Sequence, residues 1–285
     1  MSQREVPWHK RHLVAYDLET TGPDPDTARI VTADLVQLDP DGNVVSERHY
    51  LADPGIDIPE EATAVHGITT EHARTHGDPV ADVVLLLFND IETAWRETYP
   101  IVAFNASYDF TVLDRELRRH HNRTLALAGP VLDPLVIDRG VDRYRKGPRK
   151  LVAVCEHYGV PLSEEDAHNS AADATAAGRL AYAIAKRHKF KVGRRDLRHL
   201  WRAQRAWHRE WATHYQEYKR GVDRDTANHA WWDNAGHRFP CRTWADDEAL
   251  CACGAALDGS GDAAAAAVSI DQAWPLRQQR EAVAA

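Results

Sequence analysis

The chain has 285 residues, 44% hydrophobic and 27% charged, with 43 Asp and Glu against 35 Lys and Arg and a formal net charge of −8. That length allows one large domain with an appendage or two modest domains, and the composition is that of a soluble globular protein. No run reaches the about eighteen apolar residues of a membrane span, no secretory signal is legible, and four cysteines are too few for a disulfide scaffold, so a cytoplasmic protein is expected.

In chain order, the apolar run LVAYDLETTG (Leu13–Gly22) reads as a buried strand that ends in two acids, Asp17 and Glu19. Residues two apart on a strand share a face and lie about 6.5–7 Å apart along the chain. Two like charges so placed need a cation, a proton or abundant water. ARIVTADLVQLD and VVSERHYLA continue as the second and third strands of a meander, joined by the turn DPDGN. IPEEATAVHGITTEHARTHG reads as loop and short helix, and DPVADVVLLLFNDIETAWRETY as a helix closed by Pro100.

The strand IVAFN passes into the helix ASYDFTVLDRELRRHH, which sets Asn105 and Asp109 on one helical face at its start. VLDPLVIDRG reads as a strand or strand–turn, KLVAVCEHYGV as a short helix stopped by Gly159, and AADATAAGRLAYAIAKRH as an Ala-rich helix. In HNSAAD, His168 and Asp173 are five apart, which on a helix is about 140° from alignment. His168 therefore belongs to the preceding loop and Asp173 to the first helical turn. A loop histidine beside carboxylates on rigid elements suits a general base better than a structural ligand.

A meander followed by alternating strand and helix predicts an α/β domain with a mixed sheet, ending near residue 190. A basic, Trp-rich helix at 191–220 follows, then an irregular Cys-bearing segment at 221–260 and an Ala-rich tail at 261–285. His237, Cys241, Cys251 and Cys253 form His-x3-Cys-x9-Cys-x-Cys, a candidate structural Zn²⁺ site with free thiols as the competing reading. Bases gather in RELRRHHNR, DRGVDRYRKGPRK and KRHKFKVGRRDLRHLWRAQR. Such runs either follow a phosphate backbone or simply face water.

DLETTG, NASYD and HNSAAD, in this order and spacing, resemble the three motifs of the DEDD superfamily of 3′–5′ exonucleases, in its histidine-bearing (DEDDh, DnaQ-like) branch. That branch includes the epsilon proofreading subunit of bacterial DNA polymerase III. IPEEATAVHGIT and KLVAVCEHYGV resemble the segments before the second and third motifs, so the likeness covers roughly residues 10–190. Phe104 stands where many relatives have His, and Asn169 where many have Asp.

The resemblance implies an RNase H-like mixed sheet flanked by helices. It implies Asp17, Glu19, Asp109 and Asp173 as ligands of two Mg²⁺ or Mn²⁺ ions, Asp17 bridging both, with His168 as general base. Oxygen-only ligands suit those ions independently. His66 is expected at the terminal nucleotide, against a plain turn at Gly67. Leu18 and Thr20 flank the ligands and are expected to line the pocket, and Asn105 is either a substrate contact or a helix cap. The expected reaction is hydrolysis from the 3′ end of DNA, single-stranded, in proofreading or repair, with a DNA polymerase as candidate partner. An exoribonuclease acting on RNA is the alternative within the family, and a catalytically silent adaptor the alternative outside it.

Overall fold

The structure, a computed structural model, describes residues 6–163 and 169–219. The meander consists of β1 (Leu13–Thr20), β2 (Ile30–Leu38) and β3 (Val44–Asp53), with Asp17 opposite Asp34 and Asp34 opposite His49. At the β2–β3 turn the Asp39 carboxylate accepts the N–H groups of Asp41 and Asn43, both at 2.9 Å, and Gly42 takes φ 88°.

The stretch predicted as loop and one short helix holds two helices, α1 (Glu60–His66) and α2 (Thr70–His76), parted by Gly67 at φ 77°. β4 (Asp78–Pro79) pairs with β3 and leads into α3 (Val80–Arg96). β5 (Ile101–Val102) lies parallel to β1, followed by α4 (Ala106–His121), β6 (Val131–Leu132) and α5 (Pro134–Val141). α6 (Leu151–Tyr158), α7 (Ser170–Arg187), a wide turn at Lys189–Gly193 and α8 (Leu197–Lys219) complete the described chain. The sheet order is β4-β3-β2-β1-β5-β6.

VLDPLVIDRG divides differently from the sequence reading. Only two of its residues extend the sheet; Asp133 and Pro134 then open α5, the Asp133 carboxylate accepting the Leu135 N–H at 2.9 Å. An Asp cap followed by Pro at the first helical position was the available signal.

Strand alternation sends β1 side chains to two cores. Val14, Tyr16 and Leu18 pack with Leu87, Ile91 and Phe110 on the α3 and α4 side. Tyr16 meets Phe110 edge-on with ring centroids 5.6 Å apart. Leu13 and Ala15, with Val36 and Leu38 of β2, pack against α7. The small residues of α7 let it come close: a Cβ on Gly178 would lie 2.5 Å from Leu38 Cδ1 and 3.2 Å from Ala15 Cβ.

The start of α8 belongs to the same compact unit, which takes in the described chain to Arg209. Buried Gln204 accepts the Asp133 N–H at 2.7 Å and donates to the Val131 carbonyl at 3.1 Å. The Trp207 ring fills the space where a Cβ on Gly140 would stand. From Glu210 a second unit begins; of it the structure describes the last turns of α8, where Trp211 stacks on Tyr215 at 5.4 Å. No helix among the described residues is long and apolar enough to cross a membrane.

Candidate active site

The site forms where β1 leaves the sheet. A register shift between Glu19 and Thr20 breaks the pairing with β2, a device that re-aims side chains at strand ends. Asp17 and Glu19 share the sheet face with Leu13 and Ala15, the face against α7. α7 begins beside them because the Asn169 side chain caps it, accepting the N–H groups of Ala171 at 3.1 Å and Ala172 at 3.2 Å. That cap puts Asp173 in the first turn. Asp17, Glu19 and Asp173 each offer a carboxylate oxygen, and these oxygens lie within 4.8 Å of one another.

Asp109 reaches the same end of the sheet from α4. Asn105 occupies the left-handed region, φ 67°, and makes no side-chain cap. The role expected of it falls to Asp133, whose two carboxylate oxygens accept the N–H groups of Asn105 at 3.1 Å and Ala106 at 3.0 Å. Asp133 thus ties α4, α5, β6 and α8 together. Asp109 is buried, and its carboxylate accepts the backbone N–H of Leu18, between Asp17 and Glu19. It borders the trio without joining that close group.

Burial and mutual repulsion dominate the electrostatics. Burial raises Asp17 well above the usual carboxylate range, and the charges pressing on it, Asp109, Asp173, Glu19 and Asp34, are all carboxylates. Glu19 is pushed up to about 8 by burial, then by Asp173 and Asp34. Burial likewise raises Asp109, and its backbone hydrogen bonds offset part of this. Converging carboxylate oxygens fit a hard divalent cation, whose charge would offset their mutual repulsion.

A buried polar network lies directly behind. Asp34 is fully buried on the α7 face and accepts the hydroxyl of Ser170, the first residue of α7. Ser170 Oγ is 3.0 Å from Thr32 Oγ1, and His49 Nδ1 is 3.0 Å from both Asp34 oxygens. The start of the Asp173 helix is therefore pinned to β2.

Leu18 is buried in the core and serves the site through its backbone N–H. Thr20 is drawn to α4: its hydroxyl lies 2.5 Å from Tyr108 Oη, and Tyr108 donates to the Gly22 carbonyl at 2.5 Å. His66 Nδ1 accepts the Ile68 N–H at 3.1 Å, which turns the other ring edge toward the Thr20 backbone. Burial lowers the His66 pKa. Asn105 is exposed. His168 and the four candidate zinc ligands, His237, Cys241, Cys251 and Cys253, lie outside the described residues. Asp34, Ser170, Tyr108 and Asp133 are site residues the sequence reading missed.

The sequence model of the exonuclease family (RNase_T) matches residues 14–181, more than half of the chain. The chain belongs to this exonuclease family. Its three motifs place it with the DnaQ-like 3′–5′ exonucleases. The PolC-type DNA polymerase III of Lacticaseibacillus paracasei is 29% identical over 187 residues, 66% of this chain and 12% of the polymerase. That of Streptococcus pneumoniae is 28% identical over 195 residues, with the same shares. This exonuclease thus spans about an eighth of the length of those relatives. Among solved structures, E. coli Exonuclease I in complex with single-stranded DNA superposes with a TM-score of 0.54 at 18% identity, over 63% of this chain and 41% of that one. Exonuclease I from Methylocaldum szegediense gives 0.50 at 19%, over 63% and 41%. At such identity the likeness establishes the fold: a mixed sheet flanked by helices.

Proposed function

We propose that this exonuclease removes nucleotides from the 3′ end of DNA, preferentially single-stranded, in proofreading or repair. The observation that carries the reading is the convergence of Asp17, Glu19 and Asp173 oxygens within 4.8 Å, with Asp109 bonded to the strand between the first two. DNA as substrate is supported by what the similar proteins are called: PolC-type DNA polymerase III, and an Exonuclease I seen with single-stranded DNA.

Asp17, Glu19, Asp109 and Asp173 would hold two Mg²⁺ or Mn²⁺ ions, which when bound supply the positive charge that acidifies a water and offsets charge on a leaving oxygen. The protein's own groups do the rest. His168, two residues before α7 in the sequence, would accept the proton of the attacking water on a ring nitrogen and must be neutral to do so. His66, fixed by the Ile68 N–H on Nδ1 and set beside the Thr20 backbone, is the candidate neighbour of the terminal nucleotide. The Tyr108–Thr20–Gly22 hydrogen bonds hold the chain that leaves β1 beside the carboxylates.

The deciding experiment digests 5′-labelled single-stranded DNA and the matching RNA with Mg²⁺ or Mn²⁺, with chelator, and with the Asp17→Ala variant. A ladder shortening from the 3′ end on DNA, lost with chelator and variant at unchanged circular dichroism, is the expected result. A ladder on RNA alone would transfer the protein to the exoribonucleases. No turnover on either strand would leave the silent adaptor, and a fully active Asp17→Ala protein would refute the site.

A further inference from the structure

We propose that the α5–α6 loop and the turn after α7 form a platform for single-stranded nucleic acid, separate from the carboxylate site. It rests on the reading above in one respect, that the strand it receives is the body of the substrate upstream of the 3′ end.

Two exposed rings prompt the proposal. Tyr144 is 87% exposed and Phe190 77%, the most of any large hydrophobic side chain among the described residues. Each sits inside a basic run, and each carries a guanidinium over its face: Arg143 at 5.6 Å from the Tyr144 centroid and Arg194 at 4.9 Å from that of Phe190. A π face in water beside a cation matches how single strands are bound, by stacking bases and pairing phosphates.

The two segments share one foundation. The buried Asp138 carboxylate accepts Arg145 at 2.5 Å, and also Arg149, which closes the α5–α6 loop at its base. Tyr158 donates to the same carboxylate at 3.1 Å, and its Oη lies 3.2 Å from His188 Nε2, two residues before Phe190. Arg187 lies over the Tyr158 ring at 5.4 Å. The turn is held by its own backbone, the Val192 N–H donating to the His188 carbonyl and the Arg194 N–H to that of Lys189, both at 2.8 Å. Fixed backbone therefore holds Phe190 out from the core.

Charge selects the occupant. Between Lys186 and Arg198 the sole acid is Asp196, and its carboxylate is engaged by His199 Nδ1 at 2.6 Å. Lys189, Lys191 and Arg194 are exposed around Phe190, in a chain whose net charge is −8. A polyanion satisfies the cations, and unpaired bases satisfy the rings; a duplex hides its base faces. α7 links the platform to the catalytic end: the fourteen steps from Asp173 to Arg187 rise about 21 Å, or about six stacked nucleotides. Strands shorter than that should not reach the platform.

The test measures fluorescence anisotropy of labelled oligothymidylates of about four and about sixteen nucleotides, with Mg²⁺ and cleavage-resistant phosphorothioate linkages, so that the 3′ end engages the carboxylates uncut. The full chain is compared with the Tyr144→Ala/Phe190→Ala double variant. The double variant is expected to lose about tenfold in affinity on the long strand and nothing on the short one. Replacing Lys191 and Arg194 by Ala should lower the slope of log affinity against log salt by about 1.4. Phe190→Trp, which enlarges the π face, should bind at least as tightly as the parent. Unchanged length dependence and salt slope in the variants would overturn the platform, as would equally effective competition by polyglutamate, which lacks stacking faces. The nuclease reading is judged separately by the Asp17→Ala digestion, so either can fail alone.

Discussion

Stripping divalent ions from this protein and raising the pH from about 6.5 to about 8 should destabilise it, with Glu19 a contributor alongside Asp17 and Asp109. Glu19 titrates at about 8 in the folded chain against an ordinary 4.5. The folded state thus holds this proton more tightly than the unfolded chain does. Stability from that source is complete below about pH 4.5, declines as the unfolded chain ionises first, and is lost as pH passes through about 8. The full difference corresponds to about 5 kcal/mol, of which about 1–2 kcal/mol falls between pH 6.5 and 8 after discounting for a half-buried group. In a domain of this size that is about 3–6 °C in Tm.

Histidines act in the opposite sense. Burial lowers the pKa of His9, His66, His120 and His188, so these rings add stability as pH rises toward their ordinary value of 6.5 and nothing above it. The window above about pH 6.5 therefore isolates the carboxylates. The assay is thermal melting of wild type and Glu19→Gln in chelator across that window. The variant should be the more stable protein at pH 8, with a flatter pH dependence and no nuclease activity. Added Mg²⁺ or Mn²⁺ should close the gap by stabilising wild type alone. Equal melting temperatures at pH 8 in chelator would refute the account of the cluster as an unbalanced charge.

Gly178→Val should cost about 1–3 kcal/mol through overpacking against Leu38 and Ala15, and calorimetry should also find weaker Mn²⁺ binding as the Asp173 helix is pushed from the sheet. Asp34→Ala frees the Ser170 hydroxyl and should lower kcat about tenfold or more through misplacement of Asp173, whereas Asp34→Asn retains an acceptor and should keep most of the rate. Equal rates in the two Asp34 variants would count against a positioning role. Wild-type activity should rise with pH through one ionisation near neutrality, and His168→Ala should flatten that profile as well as lower it.

The parts of the site legible in the sequence obey local rules. Asp17 and Glu19 share a face because strands alternate, and Asp173 falls in a first helical turn because His168, five residues earlier, cannot share its helix face. Each inference needed only a few consecutive residues. Asp34 and Ser170 are 136 residues apart, and their bond depends on β1–β2 register and on how closely α7 approaches, which no local pattern states. Asp133 lay between: Asp-Pro signals a helix start, yet the apolar run around it suggested a strand, and tertiary contacts with Asn105, Ala106 and Gln204 gave it a wider role. Tyr108 sat within a motif already singled out but next to the acid that drew attention.

The same packing both builds the site and makes it costly. Ala and Gly on α7 allow the helix to pack closely on β1 and β2, which brings the partly buried carboxylates together with oxygens within 4.8 Å. Wider spacing would relieve the repulsion but also abolish the cluster's grip on a small hard cation, which demands near-ideal oxygen geometry. The neighbouring network follows the opposite design: buried Asp34 has Ser170 and His49 to satisfy it, so it anchors without calling for an ion. Side by side on one sheet face, Asp34 is anchored by Ser170 and His49, while Asp109, Asp173 and Glu19 press their charge on Asp17 and favour a cation among them.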